Sequence, residues 1–151
     1  PWRDANPFFH FYESLWMLAG RDDVAPLARY VKRMETFSDD GRHLNAAYGF
    51  RWRQYHEVAA AGYDTDQLSV IVEMLRENPN DRRAVLQIWS AGADLGSLTK
   101  DAACNVAATF QILMGALDMT VFCRSNDVVW GCYGANAVHF SMLMEYGFPS
   151  P

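Results

Sequence analysis

Fourteen consecutive residues, Cys123-Arg124-Ser125-Asn126-Asp127-Val128-Val129-Trp130-Gly131-Cys132-Tyr133-Gly134-Ala135-Asn136, gather an arginine, a hydroxyl, a carboxylate, glycines and an amide. Strand-like apolar sequence precedes them and helix-like apolar sequence follows. That is the outline of a polar binding loop between two rigid elements. Upstream lies Cys104, a candidate nucleophile or a small buried hydrophobe. Arg124 offers a phosphate-binding fork or plain surface charge. The adjacent Arg82 and Arg83, at the mouth of a strand, carry the same two readings. Asn136 is either a helix N-cap or an amide that donates and accepts at once. Glu13 stands alone in an apolar helix, facing solvent or doing chemistry. Singly each has an ordinary explanation. Together, at the ends of adjoining elements, they shift the balance toward the functional readings.

The elements that must hold these groups follow from periodicity. Residues 7–19 predict a helix capped by Asn6, entered through Pro7 and left at Gly20, with Phe8, Phe11, Leu15 and Leu18 at the helical period. Phe9, Trp16 and Met17 make it apolar nearly all round. A second helix is expected over 24–36, capped by Asp23, and a turn at Ser38-Asp39-Asp40-Gly41. Tyr48-Gly49-Phe50-Arg51-Trp52-Arg53 interleaves rings and guanidiniums, able to stack on a flat ligand or to pack inward. Leu68, Ile71, Val72 and Leu75 mark a helix over 65–77, capped by Asp64 or Thr65. Ala84 to Trp89 reads as a short buried strand and 90–103 as a polar loop. Strands over 105–113 and 117–124, turning at Gly115, form a hairpin that puts Cys104 and Arg124 at one sheet edge. The last helix starts at Asn136 or Ala137.

At 151 residues, half of them hydrophobic, the chain is one domain, 1–151, with a real core. A net charge of −5 argues against a nucleic-acid partner. Three cysteines without C-x-x-C spacing indicate neither a disulfide framework nor a zinc site, and suit a cytoplasmic protein. No apolar run is long enough for a membrane span. The ends, Pro1-Trp2 and Pro149-Ser150-Pro151, read as a fragment or a trimmed chain.

In this order the motifs resemble thymidylate synthase and the related pyrimidine nucleotide hydroxymethylases. Glu13-Ser14-Leu15-Trp16-Met17-Leu18-Ala19-Gly20 is similar to the family's early helix, and Tyr48 to Arg53 to its Tyr-Gly-x-x-Trp-Arg segment. The interval from Cys104 to Arg124 agrees with the family. Arg124-Ser125-x-Asp127-x-x-x-Gly131 repeats its Arg-Ser-x-Asp-x-x-x-Gly signature.

The resemblance implies an α/β (α+β) fold, a mixed β-sheet with packed helices, as a partial domain lacking the family's N- and C-terminal segments. It implies Cys104 adding to C6 of dUMP, Glu13 in a water relay, and Asn136 reading the N3/O4 edge of uracil. It implies Arg124, Ser125, Arg82 and Arg83 on the phosphate, the pair arriving from a second subunit of a homodimer. It gives Asp127, Trp52 and Trp89 to methylenetetrahydrofolate, Gly131 to close backbone approach, and no metal. The expected reaction is dUMP to dTMP with dihydrofolate. The alternatives are a dUMP or dCMP hydroxymethylase, which captures water at the same intermediate, and a non-catalytic nucleotide-binding remnant. The sequence departs from the common pattern at Asn105, at Cys123 and by one extra residue between Gly131 and Asn136, which Gly134 is suited to absorb.

Overall fold

The computed structural model describes residues 5–54 and 65–147. It is a mixed α/β fold in which a three-stranded antiparallel sheet packs against several helices. Asn6 Oδ1 accepts from Phe9 N–H (3.0 Å) and starts α1 (Pro7–Leu18). The buried face of α1 is Phe9, His10, Ser14, Trp16 and Met17. Phe8, Phe11 and Leu15, three of the residues set at the helical period, face outward instead (79%, 53% and 45% exposed). In a helix apolar on all sides, the period identifies the helix but not its inner face.

The helix expected over 24–36 is broken. Helix α2 (Ala25–Ala28) stops after one turn, Val31 is extended (φ −136°), and a 3₁₀ helix covers Lys32–Phe37. Val24 N–H donates to Arg42 O and Leu44 N–H to Asp22 O, both at 2.8 Å, so residues 22–24 pair with 42–44 and the chain between them must return on itself. Helix α3 (Tyr48–Arg53) buries Trp52, and α4 (Gln67–Glu77) buries Leu68, Ile71 and Leu75. The cap of α4 is Asp66, whose Oδ1 accepts from Ser69 N–H (3.1 Å), rather than Thr65; Asp64 lies outside the described residues.

The sheet order is β1 (Val85–Gln87), β2 (Asn105–Leu113), β3 (Ala116–Cys123). β1 is shorter than the six residues expected, yet Leu86 and Ile88 are fully buried. Its outer edge is closed by one side chain: Gln67 donates to Gln87 O and accepts from Gln87 N–H, both 2.9 Å. The β2–β3 turn uses Met114 (φ 53°) and Gly115 (φ 80°), the paired positive φ angles that a two-residue hairpin of matching twist requires. The expected polar loop contains a short helix, α5 (Ala91–Asp94). Finally α6 (Asn136–Gly147) packs on α1. No helix among the described residues is long and apolar enough to cross a membrane.

Candidate active site

The hairpin brings Cys104 and Arg124 together through the main chain: Arg124 N–H donates to Cys104 O at 2.9 Å. A bulge between Asn105 and Ala107 sits beside them, past which Asn105 still pairs with Cys123. Arg124 then folds back on the loop that leads to Cys104, Nε donating to Ala103 O (2.8 Å), with its guanidinium 5.3 Å over the Trp89 ring. On the other side Cys104 N–H donates to Tyr48 Oη (3.2 Å). Burial pushes the Tyr48 phenol up to about 12, so at neutral pH it stays protonated. Half-buried Cys104 is thus held by its backbone on two sides. Cys123 is otherwise engaged, its sulfur donating to Asn105 Oδ1 (2.9 Å), and partial burial raises its thiol.

Behind this corner lies a buried ion pair. Arg51 holds Asp94 through both guanidinium nitrogens, and also donates to Ile88 O (2.9 Å) and Asn45 O (2.8 Å). Burial works to raise the Asp94 carboxyl, but hydrogen bonds from Arg51 and Ser90 N–H leave it below the ordinary carboxylate value. The pair ties α3 to α5 and stiffens the loop that leads to Cys104.

The loop after Arg124 is an N-capped π-helical segment over Val128–Ala135. Asp127 Oδ1 accepts from Val129 and Trp130 N–H (2.9 and 2.6 Å), while Cys132 N–H reaches back five residues to Asp127 O (2.9 Å). The wider turn accommodates an additional residue per loop. The chain kinks at Gly134 (φ −122°, ψ −118°), the position suited to absorb the extra residue, and α6 begins at Asn136. Asn136 Nδ2 donates to Asn126 Oδ1 at 3.1 Å. A Cβ on Gly131 would overlap that same Oδ1, so in this structure the glycine makes room for a neighbouring side chain. Ser125 and Asp127 are exposed and Asn136 half-buried.

Other expected site residues lie elsewhere. Arg82 and Arg83 are exposed at the far end of the sheet, past the hydrogen bond from Phe110 N–H to Ala84 O, roughly 20 Å along β2 from Cys104 at the usual strand rise. Arg83 pairs there with Asp81 (2.6 Å) beside a groove of about 430 Å³ that Arg82 lines. Trp52 is 1% exposed, its ring centroid 6.4 Å from that of Phe140, and presents no face to a ligand. Of the two readings of the aromatic and basic run, inward packing describes this ring. Trp89 is half-buried beneath Arg124.

Glu13 is neither alone nor solvated. Its Oε2 lies 2.9 Å from His139 Nε2 and 3.9 Å from His10 Nδ1, with only 13% of its side chain exposed. The two imidazoles are themselves buried, 6.1 Å apart and edge-on. Sequence reasoning missed both histidines. Their signal is present: His10 precedes Glu13 by three residues and His139 follows Asn136 by three, each one helical turn along the same face. Atoms of the three side chains lie within 4.8 Å of one another, a set able to hold a divalent cation. The expectation of no metal rests on cysteine spacing and on the family resemblance, and does not address this trio. His10 also lines a cleft of about 540 Å³, walled by Val129, Tyr133, Gly134 and Val138.

The chain matches the thymidylate synthase family over residues 7–146. It is 59% identical over 145 residues, 95% of this chain, to a Pseudomonas phage M6 protein named deoxyuridylate hydroxymethyltransferase. It is 43% identical over 147 residues, again 95% of this chain, to a protein of the same name from Bacillus phage SP01. It spans 39% and 38% of the lengths of those two proteins. These relatives overturn the expectation of a dTMP-forming methyltransferase. That expectation weighed residues that serve both reactions up to carbon transfer, and so could not separate water from hydride at the last step. Family match and identities agree over nearly the whole chain: it belongs to the thymidylate synthase family.

Proposed function

We propose that the protein transfers a one-carbon unit from methylenetetrahydrofolate to C5 of dUMP and releases it as a hydroxymethyl group, through an adduct between Cys104 and C6. The observation that carries this reading is the Cys104 corner, where one main-chain hydrogen bond of 2.9 Å sets the nucleophile beside the arginine of the Arg-Ser-x-Asp motif. A C5 carbon of uracil is too weak a nucleophile by itself; thiolate addition at C6 makes it enolate-like. Arg124 and Ser125 take the nucleotide phosphate. Asn136 takes the N3/O4 edge, its amide released from Asn126, which favours uracil over cytosine. Two relatives named for deoxyuridylate hydroxymethylation support the choice of base and of water as the final nucleophile.

The folate supplies the carbon at the methylene level. Asp127 fits a pterin N–H, since only one of its oxygens serves the helix cap and the residue is exposed. Trp89 is placed to border that side, and Trp52 acts by supporting α6 through Phe140. A homodimer brings Arg82 and Arg83 of a second copy to the phosphate, which their distance from Cys104 within one chain favours. Accordingly, Arg82→Ala and Cys104→Ala subunits of the intact protein, each inactive, regain partial activity when mixed and allowed to exchange; no recovery on exchange counts against a shared site.

The direct test of the covalent step is 5-fluoro-dUMP with methylenetetrahydrofolate. Mass spectrometry of the intact protein should find a stable adduct on the Cys104 peptide. Unmodified Cys104 under saturating ligand would exclude the mechanism and leave a nucleotide-binding remnant.

A further inference from the structure

The α1–α6 seam holds two buried histidines that the mechanism above does not use. We propose that His10, Glu13 and His139 form a site for one divalent transition-metal ion of the zinc class, bound between α1 and α6. The proposal stands on side-chain geometry and donor chemistry, and it does not depend on the hydroxymethyl reading.

The donors converge from two helices. His10 and Glu13 stand one turn apart on α1, and His139 reaches the same place from α6. An i, i+3 pair of ligands completed by a facing helix is a usual way for packed helices to build a metal site. One ligand atom from each of the three side chains lies within 4.8 Å of the others. Around an ion with bonds of about 2.0–2.1 Å, neighbouring ligand atoms of a tetrahedron are roughly 3.3 Å apart. The separations from Glu13 Oε2 bracket that value, 2.9 Å to His139 Nε2 and 3.9 Å to His10 Nδ1.

The shorter contact carries the second observation. A ring nitrogen so close to a carboxylate oxygen is hydrogen-bonded when its N–H points along the line between them. His139 Nε2 is not: the residue is 5% exposed, and this buried nitrogen has no hydrogen-bond partner among the described residues. A buried polar atom left in that state costs free energy, and a bound cation removes the cost. Oxygen and nitrogen then point at a common centre instead of at each other. Without the ion, three polar groups in a helix seam stabilise less than apolar residues of the same volume. Two imidazoles and one carboxylate suit the zinc class, whereas Ca²⁺ and Mg²⁺ take oxygen ligands. Three protein ligands leave a fourth position for water. The cleft of about 540 Å³ that His10 lines with Val129 and Tyr133 gives the ion a way in.

The test reads metal binding directly in the intact protein, treated with chelator, dialysed and offered Zn²⁺ or Co²⁺. After gel filtration, elemental analysis should find one equivalent of Zn²⁺ per subunit in wild type that His139→Gln does not retain. Wild-type Tm should rise with free Zn²⁺, because the ion binds the folded seam and not the unfolded chain. Bound Co²⁺ should give d–d absorption without the near-ultraviolet band of a thiolate ligand, since Cys104, Cys123 and Cys132 are free thiols and the rival donors. His139→Gln, with the circular dichroism of wild type, should weaken Zn²⁺ binding at least about 100-fold, a loss that substitution of an outer-shell partner alone can cause. His10→Gln is the second variant should the first not fold, with the same loss expected. The Co²⁺ spectrum of wild type decides the donor set even if neither variant folds. No retained ion, an adventitious ion only, held equally by wild type and both variants, or a thiolate band with Co²⁺ would each overturn the proposal. None of these results bears on the fate of the transferred carbon, which the nucleotide product reports separately.

Discussion

The Cys104 corner and the α1–α6 seam both collect polar groups, and they do so by opposite means. At the corner it is the main chain of Cys104 that is held, its carbonyl by Arg124 N–H and its N–H by the Tyr48 side chain at Oη. In the seam Glu13 meets His139 and His10 through side chains. Sheet register fixes the first, and changing a side chain leaves the strand where it was. The second exists only while three particular residues occupy it. Substitutions should therefore separate chemistry from architecture at the corner and couple them more closely in the seam.

The largest effect sharpens the corner. Cys104→Ser should lower turnover by on the order of 10³-fold or more, with the fold intact by circular dichroism, since the residue supplies reactivity and its neighbours supply position. Retained turnover above about one-tenth would break the comparison at its strongest point. Next is the ion pair behind the corner. Arg51→Ala leaves Asp94 buried and unpaired, and should cost about 3–5 kcal/mol of unfolding free energy in a urea titration, the usual result of removing one partner from such a site. A loss under about 1 kcal/mol would mean that α3 and α5 do not depend on the pair.

Gly131→Ala tests the loop between the two regions. Its new methyl must displace the Asn126 side chain and with it the contact to Asn136. A cost of about 1–3 kcal/mol is expected, together with a raised KM for dUMP, because the Asn136 amide, proposed to read the base, loses its rest position. An unchanged KM would detach Asn126 from base recognition. The smallest effect concerns Tyr48. Tyr48→Phe removes the acceptor for Cys104 N–H at a cost of about 1 kcal/mol. Because the folded phenol titrates at about 12 rather than its ordinary 10, it binds a proton that the unfolded chain has lost between those values. Its contribution is complete below pH 10 and is lost as pH rises from about 10 to about 12. Unfolding measured across that window should fall more steeply for wild type than for Tyr48→Phe.

Local chemistry made much of the fold readable: Asn6 ahead of Pro7, the 68/71/75 stripe, the turn at Gly115, and the hairpin that joins Cys104 to Arg124. Each of these is settled by neighbours in sequence or by strand period. What stayed hidden depends on tertiary context. Phe8, Phe11 and Leu15 obey the helical period and face outward, because a helix apolar all round does not declare its inner side. The 24–36 helix breaks in a stretch that must return on itself, because residues 22–24 pair with 42–44. Trp52 sits in a motif that a ligand could use, yet Phe140, from the last helix, covers its ring. The His10–Glu13–His139 contact joins opposite ends of the chain, and no local pattern announces a pairing at that range. The π-helical turn lay between the two cases: the extra residue and the suitability of Gly134 were legible, but not the cap by Asp127 that organises them.

The central claim is that the nucleotide leaves Cys104 carrying a hydroxymethyl group on C5 whose oxygen comes from water. Intact protein turning over dUMP and methylenetetrahydrofolate in H₂¹⁸O decides it. The account predicts 5-hydroxymethyl-dUMP with ¹⁸O on the exocyclic carbon and tetrahydrofolate as the second product. Unlabelled dTMP accompanied by dihydrofolate would contradict it.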